Sequence, residues 1–477
     1  MKTFLKRLLS IFLVLAGLLV LFHLIENWRG SRAMAKWREA SISAGMPQTL
    51  EEMAPPRIPE AQNFATHPSI ADAIAGREGQ GGPVLPAVLS DGEIYRAWEE
   101  GNQVDLEALK RTLKVADLGS LLSPFDAQIQ GLEEASHRPH CRLMPTYDDN
   151  VPALLGMRQR ARVLSLRAIL ALREGRSEAA LGDILTILRV AKHLTQEPHL
   201  ISQLLRTAYV KLSFQPIWEG LAGHRWTNQQ LSRLQDALAG IDLLEPWRRS
   251  WIAESIYSRE QMAQMADAPI WPRPHIFGDP VSGGGRLADY LSVVFIPKGW
   301  IYQNLIRIDR QNRAQFIDVI DSTHHFLDAR ASERAAKTWA QMPRSPYTMF
   351  AKLYIVDNSV QNIRLGQAQS TLDQAFIACG LERYLLAHKT YPDRLDDLIS
   401  ILGTKAPSDI IGGSAIHYQK ASKDAYLLYS IGWNGVDEGG KVVLDSQQPP
   451  RHLIEQGDWV WMMPSERITN VDVVKIN

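Results

Sequence analysis

Val163-Leu-Ser-Leu-Arg-Ala-Ile-Leu-Ala-Leu-Arg-Glu-Gly-Arg-Ser-Glu-Ala-Ala-Leu-Gly-Asp-Ile-Leu-Thr-Ile-Leu-Arg-Val-Ala191 reads as two consecutive amphipathic helices. Val163, Leu166 and Leu170 recur at the three-to-four-residue spacing of one helix face, and Gly175 follows as a stop. Ser177 stands where it would cap the second helix, whose stripe is Leu181, Ile184, Leu185, Leu188 and Ala191. Upstream, Pro152 suits a first helical position, and Asp148 and Asp149 are placed to cap it. Downstream, Pro198 opens a third helix with Ile201, Leu204, Leu205, Ala208 and Leu212 on one face. Thr227-Asn-Gln-Gln230 is a capping-box pattern before Leu231, Leu234 and Leu238. Pro246 opens a fifth helix that runs to about Ala266. Helices of this length with short connections favour antiparallel neighbours. No fixed period carries a tetratricopeptide signature, so an irregular helical-hairpin domain is expected over 151–345.

The flanks are read from breakers. Ala268 to Gly285, rich in Pro and Gly, is expected to be a loop. Helices are expected to resume from Arg286 to about Met342, broken near Pro297, with a boundary at Pro343 to Pro346. On the N-terminal side, Ser31 to Ala44 reads as a short charged helix stopped by Gly45. The prolines between Met53 and Phe64 fix extended backbone and remove donors. Together with Gly76 to Pro86 they predict a mostly irregular segment over 26–150 that wraps the domain behind it.

Leu8 to Ile25 is a nearly unbroken apolar run, close to the roughly 20 residues that cross a bilayer. Lys2, Lys6 and Arg7 precede it, which by the positive-inside rule predicts a cytoplasmic tail over 1–7 and the bulk of the chain outside. Trp28 falls where an interfacial anchor is expected. A cleaved signal peptide would need a small-x-small site after a shorter run, and Phe22-His23-Leu24 offers none. The expectation is a single-pass protein of the inner membrane, bound to the bilayer through its N-terminal helix. Basic and acidic residues balance at 52 each, so no electrostatic footprint points to nucleic acid. Cys141 and Cys379 form no Cys-x-x-Cys motif, which leaves one disulfide as a possibility and supports neither a redox motif nor a zinc ribbon.

The C-terminal part, 346–477, is expected to be a small α+β module. Leu372, Ala375, Phe376, Cys379, Leu381, Tyr384 and Leu385 give a wide apolar helix face. Thr390-Tyr-Pro-Asp393 ends that helix, and Leu395 to Leu402 is one more short helix. Strands are predicted at Ala415–Tyr418, Ala425–Ile431, Lys441–Leu444 and Trp459–Met462, forming a short antiparallel sheet packed on the helix. Leu381-Glu-Arg-Tyr384, Tyr391-Pro392, Ser430-Ile-Gly-Trp-Asn-Gly435 and Gly439-Gly440 resemble the globular part of the major type II secretion pseudopilins. In that family a Ser-x-Gly-x-Asp-Gly loop binds calcium, so the resemblance implies the same here. Asn434 stands where the family has Asp, and the family's N-terminal methylation signal is missing, so the chain is not a pseudopilin subunit. The chain as a whole, through its Pro55-Pro-Arg-Ile-Pro59 to Phe64 segment, helical middle and ending, resembles single-anchor envelope proteins of the planctomycete and verrucomicrobial type. That resemblance implies no activity.

Asn434, Asp437, Asp445 and Asp458, with Glu438, are the candidate calcium ligands, because calcium takes six to eight oxygens. The competing reading is an Asn-Gly hairpin turn with exposed acids. Other clusters are weaker. Pro139 separates His137 from His140 and Cys141, which disfavours one zinc-binding face. His324 and His325 are expected on different faces of a helix. Arg158, Arg160, Arg162 and Arg167 read as a solvated basic helix edge paired with acids. Ser282 lacks a Gly-x-Ser-x-Gly elbow. With no catalytic set in view, the expected role is a non-enzymatic envelope protein that binds partners or supports an assembly. The alternative is an envelope hydrolase whose site is assembled from distant residues.

Overall fold

The computed structural model describes residues 2–74, 83–86, 89, 97–143, 153–267, 296–355, 359–447, 451–464 and 473–475. The chain is mainly α, with small sheets near its C-terminus. It divides into two compact units. The first comprises Met1–Met53, Trp251–Ile317 and Glu333–Asn358; the second comprises Ala54–Ser250, Asp318–Ser332 and Ser359–Asn477. The helical middle and the C-terminal strands therefore share one unit.

In the first unit, helix Lys2–Ser43 is continuous, which corrects the expectation of a separate helix from Ser31. Between Ile25 and Ser31 the one weak helix former is Gly30, and with no proline there the helical ladder runs on to Gly45, whose φ is +69°. Among the described residues it is the one helix long and apolar enough to cross a membrane. Leu8, Phe12, Leu18 and Leu24 are all more than half exposed. Beyond Ile25 the character of the same helix changes. Buried Glu26 accepts hydrogen bonds from Trp300 Nε1 at 3.1 Å and Tyr347 Oη at 3.0 Å, and from Arg29 Nη1 at 2.7 Å. Asn27 Oδ1 accepts from Gly299 N at 3.0 Å, and Trp37 Nε1 donates to Asp309 at 2.8 Å. Helix Lys298–Asn312 is thereby fixed along the second half of the N-terminal helix. Ile301, Leu305, Ile308, Trp339 and Ala351 build the small core of this unit.

In the second unit, helices Ala153–Arg173, Ser177–His193 and Leu200–Ala222 pack on one another, and Asn228–Ala239 packs on Ser177–His193. The capping box at Thr227 is present with both of its hydrogen bonds. Ser177 does not cap its helix. Arg176 holds the cap position, and Ser177 Oγ accepts from Gln230 Nε2 instead, at 3.1 Å. Helix Ser359–His388 lies against two of these helices and is buried on nearly every side from Leu365 to Glu382. Its polar residues are therefore hydrogen-bonded inside the core. Gln369 Oε1 accepts from Leu243 N at 2.8 Å, and Gln374 Nε2 donates to Trp459 O at 2.7 Å.

The segment expected to be irregular contains helices Pro68–Ile74, Leu106–Leu113, Leu118–Leu122 and Asp126–Ser136. Asp105 and Asp117 cap two of them. They are too short to show a period, and cap chemistry rather than patterning starts them. Another correction falls at Ile320–Asp321 and Phe326–Leu327, which pair as a two-stranded hairpin within a stretch expected to be helical. His324 and His325 sit in its turn, not on a helix.

Two three-stranded sheets replace the single sheet expected. His417–Lys420, Tyr426–Ser430 and Trp459–Val460 form an antiparallel one. In the other, Val442–Leu444 pairs antiparallel with His452–Gly457 and parallel with Val473–Lys475. Trp433, Trp459 and Trp461 are all buried, as their large faces require in so small a sheet layer. Both cysteines are buried and free.

Candidate functional site

The turn after Tyr426–Ser430 is built around buried carboxylates. Asp458 is fully buried, and its Oδ2 accepts from Gly440 N at 2.7 Å, Lys441 N at 3.1 Å and Glu438 N at 3.2 Å. The backbone N–H groups of Glu438, Gly440 and Lys441 thus converge on one carboxylate, the arrangement that suits an anion. Burial pushes the Asp458 carboxyl up to about 6, against these hydrogen bonds. Asp409, which the sequence did not single out, does the same on the other side. It accepts from Ile411 N and Ile431 N at 2.9 Å and from Ser430 Oγ at 3.0 Å. Gly432 has φ +66°, and a Cβ there would lie 2.2 Å from Gly457 O, so only glycine fits between the two turns.

The remaining calcium candidates have similar duties. Asn434 Oδ1 accepts from Val436 N at 3.0 Å, and its Nδ2 donates to Glu438 at 3.2 Å. Asp437 Oδ1 accepts from Gly439 N and Tyr429 Oη at 3.0 Å. Asp445 Oδ1 accepts from Gln447 N at 3.1 Å and Arg451 N at 2.7 Å, which closes the next hairpin. Among the described residues no group of three or more His, Cys, Asp or Glu side chains could hold a metal ion. The donor chemistry does not fit calcium: the loop turns N–H groups, not a cage of carbonyls, toward its central carboxylate.

Of the other sequence candidates, Asp148, Asp149 and Ser282 lie outside the described residues. Arg160 is buried rather than solvated and donates through Nη2 to Ser69 O at 2.8 Å. Arg167 faces Asp183 at 3.5 Å, as a paired edge would. His325 Nε2 meets Asp373 at 2.8 Å and His324 Nδ1 meets Asp321 at 2.7 Å, each hydrogen-bonded to its own carboxylate. Tyr391 Oη reaches back to buried Glu382 at 3.2 Å, and His224 Nδ1 meets the same carboxylate at 2.6 Å. Tyr391 therefore ties the chain after helix Ser359–His388 back onto that helix, and His224 ties the same carboxylate to the end of helix Leu200–Ala222.

A cleft of about 670 Å³ lies elsewhere in the same unit, in the size range of small-molecule sites. One wall is the Pro55–Pro59 run; another is the end of helix Ser177–His193. Asn63 holds the first wall in place. Its Oδ1 accepts from Ala65 N at 3.2 Å and Arg142 N at 2.9 Å, and its Nδ2 donates to Arg142 O at 3.3 Å. Phe64 N donates to His140 O at 2.8 Å, and Phe64 stacks on His193 at 5.1 Å. This accounts for the Pro-Pro…Asn-Phe pattern in physical terms: stiff prolines positioned by one asparagine. Asn63→Ala leaves two N–H groups and a carbonyl without that partner, and should destabilise the chain by about 2 kcal/mol. The check is the denaturant midpoint together with tryptic cleavage after Arg57, which should accelerate. An unchanged midpoint would contradict the role given to Asn63.

Arg57, Arg189 and Lys192 line this cleft, and among the described residues no Asp or Glu does. Cys141 also lines it, with its thiol pushed well up by burial and by the nearby Glu197 charge. His193 is pulled down by burial, and its Nε2 lies 2.8 Å from Ser136 O, so the neutral ring donates there. No family model, no curated protein and no solved structure matches the chain.

Proposed function

We propose that the chain is a single-pass protein of the inner membrane, with its first residues in the cytoplasm and its folded body on the other side. In this reading the body binds partners within the envelope and is not a catalyst. The observation that carries the proposal is the two-part character of helix Lys2–Ser43. Its first half exposes an unbroken apolar surface, and its second half is locked by Glu26, Asn27 and Trp37 into a folded unit. A removable leader has no need of such continuity; an anchor that carries a folded body does. Lys2, Lys6 and Arg7 support the cytoplasmic end by the positive-inside rule. A thiol held protonated by burial in the one cleft described above suits binding better than nucleophilic attack. The likeness of the C-terminal part to pseudopilin globular parts fits an assembly role in the same envelope.

Topology reporters fused after Leu50 and after Asn477 should both read as outside the cytoplasm, and alkaline carbonate should leave the chain in the membrane fraction. A cytoplasmic reading at both fusions would overturn the orientation. Release of a shortened chain into the soluble fraction would replace the anchor with a cleaved leader. For the binding role, cross-linking in intact membranes should give discrete higher-mass species. Turnover in a hydrolase panel with no such species would overturn it.

A further inference from the structure

The lining of the cleft is unbalanced in charge: among the described residues it holds Arg57, Arg189 and Lys192 and no Asp or Glu. Arg57 and Lys192 are exposed at its rim, and neither makes an ion pair among the described residues. Arg189 is half-buried, and its guanidinium is positioned by hydroxyls alone. Nε donates to Ser136 Oγ at 3.0 Å and Nη2 to Thr186 Oγ1 at 2.7 Å. Two neutral acceptors fix its direction without cancelling its charge, and they leave Nη1 and one Nη2 hydrogen to donate. Glu133 is the carboxylate that acts on Arg189 from nearby, but it is exposed, lies outside the cleft and makes no ion pair with it. Like charges gathered with no carboxylate in the lining disfavour the empty cleft and favour an anion in it.

The opposite wall is of a different kind. Pro55, Pro56, Pro59 and Pro139 have no N–H to offer, and Ile58 adds an aliphatic side chain. A ligand that matches both walls has a charged end and an apolar body. Three cations exceed what one carboxylate neutralises, whereas a phosphate monoester carries about 1.5 to 2 negative charges at neutral pH. We propose that this cleft binds a phosphate-bearing small molecule, its phosphate on Arg189, Lys192 and Arg57 and its apolar body against the Pro55–Pro59 wall. The proposal does not depend on the membrane anchor. Its ligand is either a soluble organic phosphate or the headgroup region of a phospholipid, which share this chemistry.

The test uses the full chain in phosphatidylcholine nanodiscs with phenyl phosphate as the probe, at ionic strength held constant with sodium chloride. The readout is the rate of Lys192 acetylation, followed by mass spectrometry. Saturable protection of Lys192, at least fivefold, is expected from phenyl phosphate, with phenol giving none. Arg57→Gln should weaken that protection at least tenfold, and Arg189→Gln should abolish it. Arg57 lies on the exposed rim, so its variant tests the site even if Arg189→Gln fails to fold. Nanodiscs containing phosphatidic acid form the second arm, without added phenyl phosphate. Protection in that arm assigns a lipid source, and protection only by phenyl phosphate assigns a soluble one. Absence of protection in both arms, or protection undiminished in Arg57→Gln, overturns the proposal.

Discussion

Asp458→Ala should lower the stability of the second unit by about 3 kcal/mol, because three N–H groups, one buried and two part-buried, lose one shared acceptor. Those donors belong to Glu438, Gly440 and Lys441, and all three point at Oδ2. Asp458→Asn keeps an oxygen in that place and should cost under about 1 kcal/mol. The two variants separate acceptor geometry from charge. Equal losses in denaturant melts would show that the charge, not the acceptor, holds the turn. Neither calcium nor a chelator should move the melting temperature of the wild-type chain. A calcium-dependent rise that disappears in Asp458→Ala would restore the cation-binding reading of Asn434, Asp437, Asp445 and Asp458.

The same carboxylate sets a pH dependence with a definite sign. Burial raises its folded value to about 6, above the ordinary 3.8, and the nearby Glu438 charge pushes the same way. The folded chain therefore holds this proton more tightly than the unfolded chain. The resulting stability is fully present below about pH 4 and is lost as pH rises through about 6. Across that window the Asp458 contribution is of order 2–3 kcal/mol. Asp458→Asn should remove that slope while leaving the rest of the profile. An Asn variant with an unchanged slope between pH 4 and 6 would assign the titration to another group.

What the sequence disclosed was local. The Thr227 capping box, the Gly175 stop and the apolar stripe of Ser177–His193 are written within a few residues, so helices of the middle were legible. What it hid was long-range. The residues that hold the C-terminal turn lie about 20 positions apart in Asp458 and Glu438, and Asp409 reaches Ile431 from before the sheet begins. Asp445 reads as a metal ligand in the sequence, where nothing marks that its Oδ1 accepts from Gln447 N and Arg451 N in a backbone turn. His452–Gly457 has no clean alternation of burial, so its strand had no pattern to show. The cleft cations come from two segments more than a hundred residues apart. Neither the Pro-rich run nor the end of helix Ser177–His193 reads as a site until the fold lines one cleft with Arg57, Arg189 and Lys192.

Gly299→Ala should be the most damaging small substitution in the first unit. A Cβ on Gly299 would lie 1.9 Å from Glu26 O and 2.5 Å from Glu26 C, and one on Gly30 would lie 2.3 Å from Gly299 Cα. These are backbone atoms of two helices, so no side chain can rotate away. The helices must separate, and four interactions then weaken together. They are the Asn27–Gly299 hydrogen bond, the Trp300 and Tyr347 bonds to Glu26, and the T-shaped contact of Trp300 with Tyr347. Overpacking alone typically costs about 1–3 kcal/mol, and the loosened partners of a buried carboxylate add to it, so a loss above about 3 kcal/mol is expected. Gly182→Ala is the control. Nothing lies within 4 Å of its Cβ position in the middle of helix Ser177–His193, and there alanine should stabilise by about 0.5–1 kcal/mol. Thermal melts of both variants, with Trp300 fluorescence reporting the first unit, make the comparison. If Gly299→Ala melts with the wild-type chain, the two helices do not meet backbone to backbone, and the rigid link between the apolar half of helix Lys2–Ser43 and the folded body is lost as an argument for an anchor.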